Sequence, residues 1–506
     1  GLLHAERTLA KNMKVTSSHL KFNTLYLLLV VALSTIKSTE TQIGYFWHIT
    51  DIHVDLNYNE KSQCQSYKLG NYKCDTPLLL VHSAMDLIEN VSKSKTPDFL
   101  IFGGDSGPHV YYYAEKALET DIQTISGELK RIFPPNNSSG VFILPSLGNH
   151  DLAPSNQMST KSDDLKRTKW CTQLSSNTTL WGSWINWVGA TPKKQPPPVS
   201  AFSNGCYFSK LIHLASDPQK KTVLLISLNG LLWYTGNPNS SSSDPDPLDQ
   251  LAWLNASLNW ARINQVKVVI SNHFPPGASP NAPKQYRFLH PAVGDRFLQI
   301  LRDNHDLFMS VLFAHVHTDS FRVLYDRDGK IPLVPMFIGS SLNPYTLRGL
   351  GGFNPRVRLY RYRQSDLQVM GYEQYYVDLS TQENTTVWQL EYDSASTYGL
   401  ADLSATSLSR LLDTFSTDNS ANGSWAHYWK HELGLRPHEP KPDLLTPEGE
   451  CPKAKSKCRC QYLCAMRNLN LDRLDKCLVT CSGSSISFSL LLAVIGTILT
   501  RVVDSL

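Results

Sequence analysis

Five sets of residues along the chain could do metal chemistry: Asp51 with His53, Asp105, Asn149 with His150 and Asp151, His273, and His315 with His317. Each set follows a short apolar run. Carboxylate, amide and imidazole groups suit zinc and other first-row divalent ions, and a carboxylate can bridge two of them. In Asp-X-His and His-X-His, the alternation of an extended chain puts both side chains on one side. Singly, His273 or His317 reads as a satisfied polar residue; the same strand-then-donor arrangement repeated five times is far more specific. Seven candidate ligands, Asp51, His53, Asp105, Asn149, His273, His315 and His317, exceed what one open tetrahedral zinc needs, so the pattern points to two ions. Paired ions of this kind activate a water and polarise the group that it attacks. His150 adjoins Asn149, and in an extended segment their side chains would diverge, so the two would not bind the same ion.

The elements that must position these groups are legible as apolar runs bounded by Gly and Pro. Residues 141–144 read as a buried strand before Pro145-Ser146-Leu147-Gly148-Asn149-His150-Asp151, with Gly148 permitting a sharp turn. Residues 45–50 lead to Asp51, 98–102 to Gly103-Gly104-Asp105, 266–270 to Asn272-His273 and 307–313 to His315; 223–228 is a further strand. Helical spacing covers 78–91 and 114–132 and recurs in Leu251, Leu254 and Leu258. In open α/β sheets, ligands bind at the C-terminal strand edges. Alternating segments near 321–325, 334–338, 356–362 and 368–376 predict antiparallel strands completing a second sheet. Residues 155–205, rich in Trp and Ser with Pro196-Pro197-Pro198, read as an insertion over the active face. After residue 380 the strand signal fades.

At 506 residues the chain has room for a large domain and a smaller one. A net charge of +4 with no basic stripe argues against a nucleic-acid polymer as partner. Lys14 and Lys21 precede the apolar run 25–33, which predicts a signal peptide over 13–38 with Met13 as initiator. Ten cysteines behind such a leader favour disulfides: Cys64 with Cys74, Cys171 with Cys206, and six more crowded into 451–481. Asn90, Asn136, Asn137, Asn177, Asn239, Asn255, Asn384 and Asn422 stand in glycan acceptor sites. Small residues Ser482-Gly483-Ser484-Ser485 before the apolar tail 486–506 predict a GPI-anchor signal, against which count a short spacer and the polar Arg501 and Asp504. The predicted organisation is therefore a leader, a catalytic domain over 44–380, a helical Cys-rich domain over 385–481, and the tail.

Asp51-X-His53, Gly104-Asp105, Gly148-Asn149-His150-Asp151, Asn272-His273 and Ala314-His315-X-His317 resemble, in order, the five-block signature of the calcineurin-like metallophosphoesterases over residues 45 to about 380. The wording around them is similar to the acid sphingomyelinase branch: His48-Ile49-Thr50-Asp51-Ile52-His53, Gly104-Asp105-Ser106-Gly107-Pro108-His109 and His273-Phe274-Pro275-Pro276-Gly277. That branch also carries a Cys-bearing helical region at its C-terminus. The resemblance implies an α/β fold of four layers, two mixed β-sheets packed as a sandwich flanked by helices, plus a small C-terminal disulfide-rich helical domain. It implies a phosphoric diester hydrolase acting through a metal-activated hydroxide. Asp51, His53, Asp105 and His317 would hold one zinc, and Asp105, Asn149, His273 and His315 the other, with Asp105 bridging. His150 would stabilise the transition state or protonate the leaving group, oriented by Asp151; His109 is the second candidate for contacting phosphate or leaving group.

Substrate class is less specified. Tyr111, Tyr112, Tyr113, Trp233, Tyr234 and Tyr345 are candidates to stack on a base or line a lipid-headgroup site, and equally candidates for packing. Small phosphodiesters and nucleotide-type substrates are expected first. Sphingomyelin ranks second, because only about ten residues separate the leader from the first strand, too few for the saposin-like domain of acid sphingomyelinase. The rival reading is a membrane-anchored modulator of lipid or receptor signalling with little catalysis; the intact donor set argues against it. The expected protein is a glycosylated monomer, secreted or held at the extracellular face of the cell membrane.

Overall fold

Twelve strands among the described residues divide into two sheets. In chain order they are Ile43–Ile49 (β1), Pro97–Phe102 (β2), Phe142–Pro145 (β3), Phe208–His213 (β4), Thr222–Leu228 (β5), Lys267–Asn272 (β6), Phe308–Phe313 (β7), Ser320–Tyr325 (β8), Pro332–Ile338 (β9), Arg356–Arg363 (β10), Val369–Tyr376 (β11) and Gln389–Asp393 (β12). The structure, a computed structural model, describes residues 42–135, 141–175, 182, 202–346, 351–381, 387–436, 451 and 456–481. The leader, the tail, the proline run and acceptor residues Asn136, Asn137, Asn177 and Asn384 lie outside the described residues. The other four acceptors, Asn90, Asn239, Asn255 and Asn422, are exposed.

The first sheet runs β12-β11-β10-β1-β2-β3 and the second β4-β5-β6-β7-β9-β8. Each has a parallel core, β1-β2-β3 and β5-β6-β7. These strands are buried almost without interruption, as parallel strands covered on both faces must be. Helices Leu78–Ser92, Glu115–Ile132, Gln250–Ile263 and Pro291–Asp303 flank them. The sheets meet through side chains: Ser146 Oγ lies 2.6 Å from Ser271 Oγ, Ser227 Oγ donates to Pro145 O at 2.8 Å, and the Phe337 ring stands edge-on to Tyr360 at 5.6 Å. The result is two mixed sheets packed as a sandwich between helices.

Two expectations are corrected. The segments at 356–362 and 368–376 do not join 321–325 and 334–338 in one sheet. β10 and β11 extend the first sheet, with β10 antiparallel to β1 in the register Phe46 opposite Tyr360. Phe46 is stacked between Phe99 and Tyr360, 4.7 Å from each ring. Alternation marks a strand but not its partner, and here aromatic pairing across β1 chooses the partner. Strand structure also continues past residue 380, because β12 pairs with β11 and its Asp393 holds Arg361. β4, which pairs with β5, went unread.

Beyond β12 the described residues are helical. Phe415, in helix Ala405–Thr417, and Tyr428, in Ser424–His431, lay their rings 6.1 and 6.4 Å from Phe321 of β8. Helices Lys457–Arg467 and Leu471–Thr480 are joined by Cys460–Cys481 and Cys464–Cys477, and Cys451 pairs with Cys458. Cys64–Cys74 and Cys171–Cys206 form as expected. No described helix is long and apolar enough to cross a membrane.

Asp121 faces inward from Glu115–Ile132 with no exposed surface, and burial pushes its carboxyl up to about 7. An unfolded Asp titrates near ~4. The folded pKa is the higher one, so the stability this group confers is complete below about pH 4 and is lost as pH rises towards 7. Asp121→Asn should therefore flatten the decline in unfolding free energy over that interval by about 1–4 kcal/mol, read from urea titrations at several pH values. Parallel pH profiles for the two proteins would show that the group ionises normally.

Candidate metal centre

The donors are delivered by the turns that follow the strands. These turns prolong the sheets' hydrogen bonding: Asp51 N donates to Gly104 O and His53 N to Asp105 O, both at 3.0 Å, and Ala314 N donates to His273 O at 2.9 Å. Asp51, His53, Asp105, His315 and His317 then all adopt positive φ, 50°, 45°, 63°, 68° and 64°. Such backbone costs roughly 1–3 kcal/mol per non-Gly residue and persists only where the surroundings enforce it. This corrects the alternation argument: Asp51 and His53, like His315 and His317, converge because the chain coils left-handed after the strand, not because it stays extended. Asn149–Asp151 is a short 3-10 turn rather than an extended segment.

Gly104 and Gly148 make room for that geometry. Gly104 has φ +99° and a Cβ there would lie 2.6 Å from Gly148 N; a Cβ on Gly148 would collide with the Asp105 carboxylate. Gly148 itself has φ −96°, so close approach rather than a left-handed turn is what requires glycine there.

The donor atoms crowd together. Asp105 Oδ2 lies 3.2 Å from His273 Nε2 and 3.4 Å from His53 Nε2; His53 Nε2 is 3.2 Å from His317 Nε2, which is 3.5 Å from Asp51 Oδ1. The donor atoms of Asp105, His273 and His315 fall within 4.8 Å of one another, as do those of His53, His109 and His317 and of His53, Asp105 and His150. Asp51, His53 and His273 are wholly buried. His53 and His273 each bond through Nδ1 to a backbone carbonyl, Gly107 O and Gly103 O, at 2.8 Å. A carbonyl only accepts, so the proton sits on Nδ1 and Nε2 faces the cluster, the outer bond that orients a ligating imidazole. Asn149 Oδ1 and His317 Nδ1 are buried without a hydrogen-bond partner. Converging oxygen and nitrogen lone pairs in a buried site fit divalent cations.

The electrostatics agree. Burial pushes Asp51 up to about 7. Burial also opposes charge on His273, but Asp105 beside it holds its pKa up at about 9, and bound cations would displace that proton. Despite burial, His273 and His53 hold Asp105 well below the usual carboxylate range. Burial and the neighbouring imidazoles drive His53, His315 and His317 down to neutrality.

Above this floor opens a cavity of 260 Å³. His109, His150, Tyr234, Tyr286 and Phe288 line it, with Ser279 and Asn281 among its polar groups. Of the aromatic residues read from the sequence, Tyr234 lines the cavity and Tyr345 lies 5.3 Å from the His109 ring. Trp233 is buried against Phe297, and Tyr111 and Tyr112 are exposed, none of them lining the cavity. Asp151 does not orient His150. Its carboxylate instead accepts the backbone N–H groups of Gly148, Asp105 and Ser106 at 2.8–2.9 Å and collars the two donor turns. His150 Nδ1 is held by Pro108 O at 3.1 Å.

The residue missed in the sequence is Asp75. Its carboxylate accepts His109 Nδ1 at 2.6 Å and His109 N at 3.0 Å, and Asn343 Nδ2 at 3.1 Å steadies it. Burial opposes charge on His109, yet Asp75 raises its pKa above the ordinary value. The available signal was position: Asp75 follows Cys74, whose disulfide to Cys64 staples that loop.

Comparison with known proteins places this fold and site in a class. The calcineurin-like phosphoesterase model matches residues 44–319, more than half of the chain, and the chain belongs to that family. It is a hydrolase with a dinuclear metal centre. More particularly, residues 332–434 match the acid sphingomyelin phosphodiesterase C-terminal region. The chain is 28% identical to acid sphingomyelinase-like phosphodiesterase 3b of Homo sapiens, over 86% of its own length and 90% of that protein. It is also 28% identical to a cyclic GMP-AMP phosphodiesterase of Rattus norvegicus, over 86% and 92%. A solved dimetal phosphatase from Danio rerio aligns at a TM-score of 0.40 and 12% identity, over 69% of this chain and 98% of that one.

Asp75→Asn keeps the shape of the side chain but removes the charge behind His109. Diester turnover should fall about 10- to 100-fold, the scale for removing an imidazole's orienting partner, while metal content holds. Turnover equal to wild type would mean that His109 does not work through Asp75.

Proposed function

We propose that this protein is a zinc-dependent phosphodiesterase that hydrolyses small, nucleotide-type phosphodiesters in the secretory pathway or at the cell surface. The observation that carries the reading is the buried cluster of carboxylate, amide and imidazole donors at the floor of the 260 Å³ cavity. Asp51, His53, Asp105 and His317 would hold one zinc and Asp105, Asn149, His273 and His315 the other; histidine, carboxylate and amide donors suit zinc. Bound there, the pair supplies Lewis acidity toward the attacking water and the phosphoryl oxygens.

The side chains above supply the rest. His109, its Nδ1 engaged by a carboxylate, can carry the positive charge of a proton donor and pass that proton to the departing oxygen. His150, held by a neutral carbonyl, is the weaker candidate for that step and would position the phosphoryl group. This reverses the order expected from the sequence, because the carboxylate that stabilises an imidazolium stands behind His109. Tyr234, Tyr286 and Phe288 offer aromatic walls for a base. The relative named as a cyclic GMP-AMP phosphodiesterase supports nucleotide substrates. Sphingomyelin is the second reading, favoured by the match to the acid sphingomyelin phosphodiesterase C-terminal region. Pairing of all ten described cysteines supports an oxidising compartment. Four exposed acceptor asparagines support glycosylation.

Purified protein should contain close to two zincs and cleave a chromogenic phosphodiester; Asp105→Ala and His273→Ala should lose both properties. Full activity in those variants would overturn the assignment, and zinc without turnover would favour the modulator reading. His109→Ala should lose roughly 10²–10⁴ in turnover on poor leaving groups and less on nitrophenolate, with zinc retained. A steeper leaving-group dependence in His150→Ala would exchange the two roles. Side-by-side turnover of nucleotide and sphingomyelin substrates ranks the two readings. Phosphatidylinositol-specific phospholipase C should release the protein from cells if the tail is replaced by an anchor; retention with the tail intact would exclude one.

A further inference from the structure

A second cavity, of 120 Å³, lies between the C-terminal end of Pro291–Asp303, the turn from β8 to β9, and the junction of Lys457–Arg467 with Leu471–Thr480. It shares no lining residue with the cavity above the metal centre. Three guanidinium-bearing residues line it, Arg302, Arg467 and Arg473, and no carboxylate does. We propose that this cavity is a binding site for a tetrahedral oxyanion, a phosphate group above all.

The arginines are built into place. Arg302 donates through Nε to Tyr325 O at 2.9 Å, a bond that anchors the side chain without using its two Nη groups. Arg473 reaches over Gly329, where a Cβ would stand 2.9 Å from its Nη1, so glycine lets the guanidinium approach the turn. Arg467 is steadied at the rim by Asp413 at 2.6 Å. Asn470 caps the last helix, its Oδ1 accepting Arg473 N at 3.1 Å, so the positive end of that helix faces the same junction. Of the carboxylates near these arginines, Asp413 is engaged by Arg467, Asp295 accepts from Asn470 Nδ2 at 2.7 Å, Asp303 accepts from Gln299 Nε2 at 2.6 Å, and Asp326 accepts the N–H groups of Lys330 and Ile331 at 2.7 and 3.1 Å; none of the four lines the cavity. Gathering three cations is unfavourable in itself. Burial, followed by the charge of Arg473, lowers the pKa of Arg302. A bound oxyanion relieves that repulsion, and planar guanidinium forks match its oxygens. The cavity, at 120 Å³, has room for a phosphate group.

The test uses the full chain and inorganic phosphate. To separate any phosphate taken at the metal centre, thermal unfolding is followed in wild type, in His273→Ala, and in both backgrounds with Arg302→Gln and Arg473→Gln added. Phosphate should raise Tm by about 1–3 °C in wild type and in His273→Ala alike, and the shift in His273→Ala should vanish with the arginine substitutions. Arg473→Gln alone, on an outer helix turn, should halve the shift or more, which covers the case in which the double variant does not fold. A second arm measures co-flotation with phosphatidylcholine vesicles with and without phosphatidic acid. Arg473-dependent flotation without a response to free phosphate would assign the site to a lipid phosphate. Absence of an arginine-dependent response in both arms would overturn the proposal. Diester turnover does not enter the readout, so the proposal can fail while the catalytic assignment stands, and the reverse.

Discussion

Asp105 Oδ2 lies 3.2 Å from His273 Nε2 and 3.4 Å from His53 Nε2, while Oδ1 accepts the N–H of His150 at 2.7 Å. One buried carboxylate thus ties together the turns that follow β1, β2, β3 and β6, and with them both sheets. An uncompensated charge at that depth would cost several kcal/mol. The imidazoles that surround Asp105 offset that cost only partly, since burial keeps most of them neutral. What remains is a buried cluster of oxygen and nitrogen donors whose natural complement is a pair of cations. Holding it open is the constraint that the rest of the architecture serves.

Several features at a distance from the donors follow from that constraint. Five donors sit in left-handed backbone, and the neighbouring turns enforce it through hydrogen bonds that continue the sheets. The Asp151 carboxylate contributes by gathering three N–H groups from the Asp105 and Gly148 turns. On the far side the same task falls to Arg356 of β10. It is fully buried and donates to His317 O at 3.1 Å and to His431 O and Glu432 O at 2.9 and 3.1 Å. One guanidinium therefore links a donor turn to the C-terminal helices. Arg358, two residues on, pairs with Asp319, which also holds Tyr392 of β12. The C-terminal segment is thereby part of the support for the centre.

The cavity above the donors is built on different physics. His109, Tyr234, Tyr286 and Phe288 stand on loops rather than on strand ends. The Cys64–Cys74 disulfide and Asn343 fix Asp75, and Asp75 fixes His109. Tyr234 stacks on Phe274 at 4.1 Å and stands edge-on to His315 at 5.2 Å, joining the aromatic wall to the floor. Dispersion and ring packing, more than charge, shape that wall.

The sequence by itself determined the class of protein, the parallel strands and the polar residues that end them, because these are written locally. A short apolar run bounded by glycine makes a buried strand wherever it lies, and a donor just past its end is carried to the sheet's edge. Disulfides at 64–74 and 171–206 were legible too, the first closing a short loop and the second tying the ends of an insertion. Only the tertiary structure decided the rest. It set β10 beside β1, drew Arg356 to His317, gave Asp151 to the backbone rather than to His150, and put Asp75 behind His109. Each of these is a choice of partner among groups of similar chemistry. Local pattern tells a residue's type and facing, but the partner is chosen by packing among elements distant in the chain, and that choice exists only once the two sheets have closed on each other.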